Sequence, residues 1–369
     1  MHIALFCPSF GHLGGIEAIA ERLALEFGRR GHRVTVLARL PAPAMPAQHG
    51  LPILRFALHQ LPRRVRQFSR YATFARSFVP AMRALRRTVP RERIDAVLSL
   101  ALSTYSPFLI GLAGVAPLVM SLQGGENRAE LASSSRVFRL ALRRARHVVA
   151  CARSLAAQAR DLAPEVAARV SVIPNGVDAE RFVAVPPFAH PRPFVLAVGR
   201  LAVQKGFDVL LEAFARLGPA AAGVDLLFVG EGPQHSLLEA ASARLGLEHR
   251  ARFLGPLTPE VTATLYRAAL LVACPSRWEG LPLVCLEAMA SGRAVVGTAV
   301  DGIPDAVVHE ETGLLVPPGD AGALAGALDT LLSDPGMRQR LGERGRALAI
   351  ERFSWPALAG RYLTLLETA

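Results

Sequence analysis

The stretch Phe194-Val-Leu-Ala-Val-Gly-Arg200-Leu-Ala-Val-Gln-Lys205-Gly-Phe-Asp-Val-Leu-Leu-Glu-Ala-Phe214 combines an apolar strand, a glycine-containing loop and an amphipathic helix. The helix places its apolar residues at three- and four-residue spacing. A strand followed by a helix of this kind is the repeating unit of a parallel α/β fold. The stretch therefore predicts a parallel sheet, with Arg200 and Lys205 in the loop that joins strand to helix.

The same alternation opens the chain, where strand Ile3–Phe6 is followed by a helix over Ile16–Arg30 and a strand at Val34–Leu37. Further strands are predicted at Ala96–Leu100, Pro117–Leu122, His147–Cys151, Leu226–Val229, Arg252–Leu254, Leu270–Ala273 and Ala294–Gly297. The stretch Val170–Asp178 is also interpreted as the end of a strand. Two successive alternations predict two Rossmann-like α/β domains that face each other across a cleft. We place them at 1–180 and 181–354, with a helix at about 355–369 packing back onto the first. The proline-rich segment Pro186–Pro193 is interpreted as the linker.

Composition limits the class of protein. The chain has 369 residues, of which 51% are hydrophobic, enough for two domains with their own cores. No apolar run reaches the roughly 18–20 residues that span a bilayer, and the N-terminal residues lack the pattern of a signal peptide. Four scattered cysteines predict buried thiols in a reducing cytoplasm, namely Cys7, Cys151, Cys274 and Cys285.

Lys205 is the single lysine of the chain, beside 41 arginines. An ammonium is a compact point charge, whereas a guanidinium is a planar fork of donors. Arg200 and Lys205 supply one of each in a single loop, a combination suited to a pyrophosphate group. The alternative interpretation is a surface lysine in a loop that opens a helix.

A second informative block is Cys274-Pro-Ser-Arg-Trp-Glu279-Gly-Leu-Pro282-Leu-Val-Cys-Leu-Glu287-Ala-Met-Ala-Ser-Gly292. Glu279 follows a strand, and Pro282 can begin a helix whose exposed N–H groups bind an anion. Glu287 lies among apolar residues of that helix, where an acid usually has a partner. The two carboxylates can hold two hydroxyl-bearing parts of one ligand. Alternatively, Glu279 is a helix-entry acid and Glu287 a solvated helix residue.

These motifs, in this order, resemble the retaining, nucleotide-sugar-dependent glycosyltransferases of family four (glycosyl transferases group 1), which have the two-domain GT-B architecture. The resemblance covers nearly the whole chain and is densest from Val195 to Asp320. It is carried by Val198-Gly-Arg-Leu…Lys205-Gly, Phe228-Val-Gly-Glu-Gly-Pro, Phe253-Leu-Gly255, Pro275-Ser…Glu279-Gly…Glu287-Ala-Met-Ala and Glu311-Thr-Gly-Leu-Leu-Val-Pro317.

The resemblance implies roles for particular residues. Arg200 and Lys205 would clamp the donor pyrophosphate and neutralise the departing nucleoside diphosphate. Glu279 would bind sugar hydroxyls, and together with these two cations it forms the implied catalytic set. Glu287 would take the ribose hydroxyls. The remaining donor-binding positions on this side are Phe253, near the base, and Gly280, Leu281, Pro282 and Leu283. The backbone N–H groups of Gly280, Leu281 and Leu283 would face sugar or phosphate, whereas Pro282 has no N–H group. Because the chain has no Asp-x-Asp dyad, neither a metal ion nor another cofactor is expected.

In the N-terminal half, Gly14 and Gly15 match the family's glycine turn near donor phosphate and acceptor, although a tight β–α turn explains them equally well. The family usually has a histidine after the strand at Pro117–Leu122, and this chain has Gln123. An amide donates and accepts hydrogen bonds but carries no charge. His12 is the candidate substitute on the acceptor side.

The segment 62–87 is rich in arginine, and no acidic residue occurs between Glu26 and Glu92. Apolar residues fall at helical spacing in it, at Val65, Phe68, Ala72, Ala75 and Val79. This pattern fits an interfacial helix on an anionic membrane surface, and it fits equally a core-packed helix with a solvated arginine face. Nucleic acid is not expected as a partner, since no recognition motif accompanies the charge.

The sequence thus predicts a metal-independent retaining glycosyltransferase. It would move a sugar from a nucleoside diphosphate sugar, such as a UDP-sugar, to a glycan or lipid-linked acceptor in cell-envelope or exopolysaccharide biosynthesis. The expected location is cytoplasmic, peripheral at the inner face of the membrane. Two alternatives stay open: a nucleotide-sugar epimerase of the same architecture, and a donor-binding protein without turnover, which Gln123 alone favours.

Overall fold

A computed structural model describes residues 1–11, 14–40, 50–62, 68–124 and 135–368. The chain divides into two compact units. The first comprises Met1–Asn175 and Trp355–Ala369, and the second comprises Gly176–Ser354.

The first unit contains a parallel sheet of seven strands in the order β3-β2-β1-β4-β5-β6-β7. The strands are β1 (His2–Phe6), β2 (Arg33–Arg39), β3 (Ile53–Phe56), β4 (Ala96–Ser99), β5 (Leu118–Leu122), β6 (His147–Ala150) and β7 (Val170–Val172). The helices are α1 (Gly15–Arg29), α2 (Phe68–Arg91), α3 (Ser106–Leu112), α4 (Ser135–Arg144) and α5 (Arg153–Leu162). Strands β1 and β4 are almost wholly buried, as expected for a parallel sheet covered by helices on both faces.

The second unit contains a parallel sheet of six strands in the order β10-β9-β8-β11-β12-β13. The strands are β8 (Phe194–Val198), β9 (Asp225–Val229), β10 (Ala251–Phe253), β11 (Leu271–Cys274), β12 (Val295–Thr298) and β13 (Gly313–Val316). The helices are α6 (Arg181–Ala184), α7 (Phe207–Ala215), α8 (His235–Arg244), α9 (Pro259–Ala268), α10 (Leu283–Ala290), α11 (Ile303–Ala306), α12 (Ala321–Ser333) and α13 (Pro335–Arg352). The central strand β8 lies between β9 and β11, so its carboxyl end is at the middle of the sheet edge.

The last helix, α14 (Trp355–Glu367), belongs to the first unit although it follows the second in sequence. It packs on α1, and the Tyr362 hydroxyl is 2.8 Å from the Ser121 hydroxyl of β5. Trp355 and Tyr362 are both buried, so the helix is part of the first unit's core.

Three expectations need correction. The proline-rich segment Pro186–Pro193 is not the linker, because it lies inside the second unit, where Phe188 N donates to Thr264 O at 2.9 Å. The sequence missed two short strands, β3 and β13, both of which add to the edge of a sheet.

The third correction concerns α2. It runs on to Arg91, beyond the expected apolar stripe, and its core-facing rings are Phe74 and Phe78, which pack on Phe108 with centroids 6.1 and 5.1 Å away. The side chains at Ala72, Ala75 and Val79 are exposed. Val65 lies outside the described residues, as does the side chain of Phe68. None of the described helices has the length and apolar content to cross a membrane.

Candidate functional site

The loop after β8 is held by glycines that let backbone segments approach closely. Gly206 has φ +64°, and a Cβ on it would collide with the carbonyl oxygen of Pro275, in the loop after β11. Gly230 has φ +128°, and a Cβ there would collide with the carbonyl oxygen of Gly199. Only glycine fits these positions without displacing backbone. The loops after β8, β9 and β11 therefore meet at one edge of the sheet.

Lys205 and Glu279 form the charged centre of this edge. Lys205 Nζ donates to Glu279 Oε1 at 2.5 Å, and the Ser276 hydroxyl donates to the same oxygen at 2.8 Å. The Lys205 side chain is 17% exposed and that of Glu279 is 7% exposed. No described residue donates to Glu279 Oε2, so this oxygen can accept hydrogen bonds from a ligand. The ammonium keeps two further protons for an anion.

The protonation of Lys205 follows from its neighbours. Burial alone would lower the pKa of the ammonium, but Glu279 and the thiols of Cys274 and Cys285 outweigh burial and raise the pKa above its ordinary value. Lys205 therefore stays charged at neutral pH. A permanently charged, half-buried ammonium is suited to binding a phosphate group.

The turn at Glu279 is fixed by a carboxylate from another loop. Glu279 N donates to Asp301 Oδ2 at 2.9 Å, and Asp301 itself has φ +44°, a conformation that aspartate tolerates better than most residues. Directly after this turn α10 begins at Leu283, with Pro282 as its N-cap and no side-chain capping bond. The segment Gly280–Leu283 thus follows Glu279 directly and leads into the first turn of α10.

Arg200 lies at the other end of the β8 loop. Its side chain is exposed and has no partner among the described residues. The loop between the two cations is anchored by Arg277, which donates to both carboxylate oxygens of Asp208 at 2.8 and 2.6 Å and to Val203 O at 2.8 Å. The structure therefore brings Lys205 and Glu279 together and leaves Arg200 free to bind a ligand.

Glu287 has the partner that its apolar surroundings suggested. Tyr266, fully buried on α9, donates its hydroxyl to Glu287 Oε2 at 2.8 Å. Burial raises the pKa of Glu287, and the Tyr266 bond and the charge of Arg181 only partly oppose this effect. Tyr266 in turn packs edge-on against Phe182, with ring centroids 5.7 Å apart. The carboxylate is thus fixed on one side by a rigid phenol.

Phe253, at the end of β10, stacks on Phe228 with centroids 4.7 Å apart and an interplanar angle of 8°. His235 approaches the same ring at 5.5 Å. Gly255 O accepts from Gly230 N at 2.8 Å, which ties this strand end to the β9 loop. Phe253 is therefore an aromatic side chain held in place by Phe228 and His235, at the same edge of the sheet as Lys205.

The first unit presents a different arrangement. Gln123 Nε2 donates to the Ser121 hydroxyl at 2.8 Å, and this hydroxyl also contacts Tyr362. Gln123 Oε1 is buried and has no hydrogen-bond partner among the described residues. Gly14 is the N-cap of α1, Gly15 is the first residue of the helix, and the Glu17 carboxylate lies against Gly14. His12 lies outside the described residues.

Sequence reasoning missed the residues that support the site: Ser276, Asp301 and Tyr266. Each contacts a predicted residue. Ser276 lies within the Pro275-Ser motif but had no assigned role, whereas Asp301 and Tyr266 belong to no motif. Asp301 is 22 residues from Glu279, and Tyr266 is 21 residues from Glu287. Apolar flanks of Glu287 were the one signal that a partner was needed. Among the described residues no cluster of three or more His, Cys, Asp or Glu side chains is arranged to hold a metal ion.

Two parallel α/β sheets define the GT-B class of fold, and comparison with known families agrees. Residues 13–181 match the model described as Glycosyltransferase Family 4, and residues 178–348 match that described as Glycosyl transferases group 1. The chain belongs to this family of glycosyltransferases.

Individual relatives match part of the chain. Glycogen synthase of Mycobacterium tuberculosis is 34% identical over 218 residues, 58% of this chain and 51% of that protein. D-inositol 3-phosphate glycosyltransferase of Corynebacterium glutamicum is 36% identical over 221 residues, 54% of this chain and 52% of that protein. The chain thus spans about half the length of these curated relatives. Among solved structures, sucrose-phosphate synthase from Thermosynechococcus elongatus is similar with a TM-score of 0.84 and 26% identity, over 100% of this chain and 98% of that one.

Proposed function

We propose that the protein transfers a sugar from a nucleoside diphosphate sugar to a hydroxyl-bearing acceptor, with retention of anomeric configuration and without a metal ion. The observation that carries this proposal is the Lys205–Glu279 contact beside the exposed Arg200. Cations placed where a diphosphate departs stabilise the charge that develops in the transition state. The names of the two curated relatives, a synthase of glycogen and a glycosyltransferase, support the same class of reaction.

Each residue has a stated task in this proposal. Lys205 and Arg200 bind the two phosphates, the first as a point charge and the second as a fork. Glu279 Oε2 accepts hydrogen bonds from sugar hydroxyls, while Oε1 stays with Lys205 and Ser276. Glu287 accepts from the ribose hydroxyls through the oxygen that Tyr266 leaves free. Phe253 lies near the base, and the N–H groups of Gly280, Leu281 and Leu283 face the sugar or phosphate.

The test is release of nucleoside diphosphate. The protein is incubated with a panel of nucleoside diphosphate sugars and a lipid extract, beside the double variant Lys205→Ala, Glu279→Ala. Release from one donor that depends on the extract and falls by about 10²–10³-fold in the double variant supports the proposal. Binding of a donor without release, whatever acceptor is offered, contradicts transfer. Release without any acceptor and with a changed sugar would instead identify an epimerase.

Retention of anomeric configuration and independence of a metal ion can each be measured directly. Proton NMR of the product gives its anomeric configuration, which should equal that of the donor. Release should persist in the presence of a chelator, because the two cations take the place of a metal ion. An inverted product, or loss of release that added Mg²⁺ or Mn²⁺ restores, would contradict the respective part of the proposal.

We further propose that α2 holds the enzyme at the inner, anionic face of a membrane, so that a lipid-linked acceptor of the cell envelope is in reach. The exposed stripe of α2 comprises Tyr71, 36% exposed, Val79, 48% exposed, and Ala72 and Ala75 between them. Exposed arginines flank the stripe, at Arg70, Arg76 and Arg83. An apolar stripe bordered by cations is the pattern of an interfacial helix.

Vesicle flotation at low salt tests this surface. Phosphatidylglycerol vesicles should bind the protein and phosphatidylcholine vesicles should not. Replacing Arg76 or Arg83 by alanine should weaken binding about fivefold each, since each basic residue near such a surface contributes about 1 kcal/mol. The control is Arg244→Ala, an exposed arginine at the end of α8. Absence of binding to phosphatidylglycerol would overturn the membrane proposal and leave the donor site untouched.

A further inference from the structure

The loops after β11 and β12 are joined by two hydrogen bonds beside Glu279. The Thr298 hydroxyl, at the end of β12, donates to Ser276 O at 2.6 Å, and Glu279 N donates to Asp301 Oδ2 at 2.9 Å. The first bond reaches the chain three residues before Glu279, and the second reaches Glu279 itself. The backbone that carries the Glu279 side chain is therefore held by the neighbouring loop.

Asp301 adopts a backbone conformation that is unusual for a residue with a side chain. Its φ is +44°, and among the described non-glycine residues only Arg93 and Glu310 also have a positive φ. A left-handed backbone costs free energy in every residue except glycine, and residues that keep it gather at functional sites. The side chain of Asp301 must therefore contribute something that glycine at this position would not.

The carboxylate of Asp301 is directed at a single amide. Helix α11 follows it, but the N-cap of that helix is Gly302 and no side chain caps it. Asp301 forms no salt bridge with any described residue, and its carboxylate accepts from Glu279 N. Because the acceptor is charged, this bond is stronger than one to a neutral oxygen. The strained backbone thus places a strong acceptor against the amide of Glu279.

Glu279 is consequently fixed through both its main chain and its side chain. Oε1 accepts from Lys205 Nζ at 2.5 Å and from the Ser276 hydroxyl at 2.8 Å, and the main-chain N–H is bound to Asp301. With the peptide plane and one carboxylate oxygen in place, Oε2 has little freedom to move. Misplacement of a substrate-binding group by about 1 Å can lower a rate by about 10²-fold.

We propose that Asp301 is a positioning residue for sugar transfer: it fixes the amide of Glu279, so that Glu279 Oε2 meets the sugar hydroxyls in the geometry of the transition state. In this assignment Asp301 touches neither the phosphates nor the reacting atoms. The assignment rests on the proposed function, because it requires a donor sugar at Glu279. Binding of the diphosphate by Lys205 and Arg200 does not depend on Asp301.

Two substitutions of Asp301 test the role of its carboxylate. Asp301→Gly permits the same backbone and removes the acceptor, whereas Asp301→Asn keeps an acceptor oxygen and tolerates a positive φ. Release of nucleoside diphosphate is measured with the donor found in the release assay, at a temperature at which circular dichroism shows every variant to be folded. Asp301→Gly should lower kcat about 10- to 100-fold and change the donor KM by less than about threefold.

Asp301→Asn should restore kcat to within about threefold of the wild type, because an oxygen again accepts from the amide. A kcat of Asp301→Gly equal to that of the wild type would overturn the proposal. An Asp301→Asn variant as slow as Asp301→Gly would also overturn it.

Two controls separate positioning from stability. Thr298→Val removes the other bond between the same two loops, and Glu310→Gly relieves a φ of +61° in an exposed turn. Both should keep kcat within about threefold of the wild type, although Thr298→Val should lower the Tm at least as much as Asp301→Gly does. Equal losses of kcat in Thr298→Val and Asp301→Gly would show that Asp301 only stabilises the loops, and would overturn the positioning role.

The Glu279 amide gives a readout that needs no donor. Its hydrogen exchange, followed by NMR, should become about tenfold faster or more in Asp301→Gly and stay close to the wild-type rate in Thr298→Val. Unchanged exchange in Asp301→Gly overturns the proposal whatever the activity. If exchange responds as expected but the wild type turns over no donor, the proposed function fails and the positioning role with it.

Discussion

The carboxyl edges of the two sheets carry opposite kinds of site. In the second unit, the charges of Lys205 and Glu279 are paired at 2.5 Å within loops that glycines bring into contact. In the first unit, an apolar cavity is lined by Leu100, Phe138 and Leu155, and the uncharged side-chain oxygens of Gln123 and Gln158 are buried without a partner among the described residues. The side chains at the two edges therefore suit different kinds of ligand. The fixed charges of the second edge suit it to an anion such as the proposed diphosphate, whereas the first edge offers an apolar wall and neutral amides.

The largest loss of stability should come from changing the backbone at the carboxyl edge of the second unit's sheet, where Lys205 and Glu279 lie. Gly206→Ala introduces left-handed strain and a collision with Pro275 O, and should destabilise the protein by about 3–4 kcal/mol. Gly246→Ala is the matched control, because Gly246 has φ +68° but open space around it, and should cost about 1–2 kcal/mol. Urea unfolding measures both. Equal losses would show that the close approach of the two loops contributes nothing.

The charge pair itself should come next. Lys205→Met leaves the Glu279 carboxylate buried without its cation, which should cost about 3 kcal/mol. Adding Glu279→Gln should restore part of the loss, with a coupling energy of about 1–3 kcal/mol in a double-mutant cycle. Additive single losses in urea unfolding would mean that the pair does not act as a unit.

The same pair predicts a pH dependence. Because the folded-state pKa of Lys205 is raised, the stabilisation it gives is complete below the ordinary pKa of 10.5 and is lost as the pH rises through the folded-state value. The difference in stability between wild type and Lys205→Met should therefore be constant from pH 8 to about pH 10 and shrink above it. A difference that grows with pH would contradict the assignment of the ion pair.

Ionisation of Glu287 should destabilise the folded protein, because the carboxylate is buried. Its folded-state pKa is raised, so the folded protein loses stability as the pH rises above the ordinary carboxyl pKa of 4.5 and the group ionises. Glu287→Gln cannot ionise and keeps an acceptor for Tyr266. The variant should gain stability relative to wild type between pH 4.5 and neutral pH, measured by thermal unfolding. An unchanged difference over this range would contradict the raised pKa.

The smallest change in stability is expected at the carboxyl edge of the first unit's sheet, where Gln123 lies. Gln123→Leu removes the bond to Ser121 but also removes the unpaired buried oxygen, and Ser121 keeps Tyr362 as its partner. The free energy of unfolding should change by less than about 1 kcal/mol. A loss of stability as large as that of Lys205→Met would show that Gln123 contributes as much to stability as the charge pair does.

The sequence predicted the parts of this comparison that are local. The strand, loop and helix around Lys205 follow from apolar spacing and glycine, and the apolar neighbours of Glu287 predict that it has a partner, without naming that partner. Asp301 and Tyr266 could not be predicted, since they reach the site through folding from more than 20 residues away. Strand β3 is a four-residue edge strand that is only partly buried, so it lacks the continuous apolar run of a central strand.

The apolar cavity of the first unit could not be predicted from the sequence, for a related reason. Leu100, Phe138 and Leu155 come from three separate elements, and each is an ordinary core residue in the sequence. Only their arrangement leaves a space between them. The arginine-rich segment left two interpretations open, and both fit a helix that packs Phe74 and Phe78 on Phe108 and exposes Ala72 and Val79.

The central claim is that Lys205, held by Glu279, binds the diphosphate of the donor. Isothermal titration with uridine, guanosine, adenosine and thymidine diphosphates tests it most directly, on wild type, Lys205→Ala and the control Arg244→Ala. One nucleotide should bind the wild type and the control equally, and bind Lys205→Ala about 10- to 100-fold more weakly. Equal affinity of wild type and Lys205→Ala for that nucleotide would contradict the account.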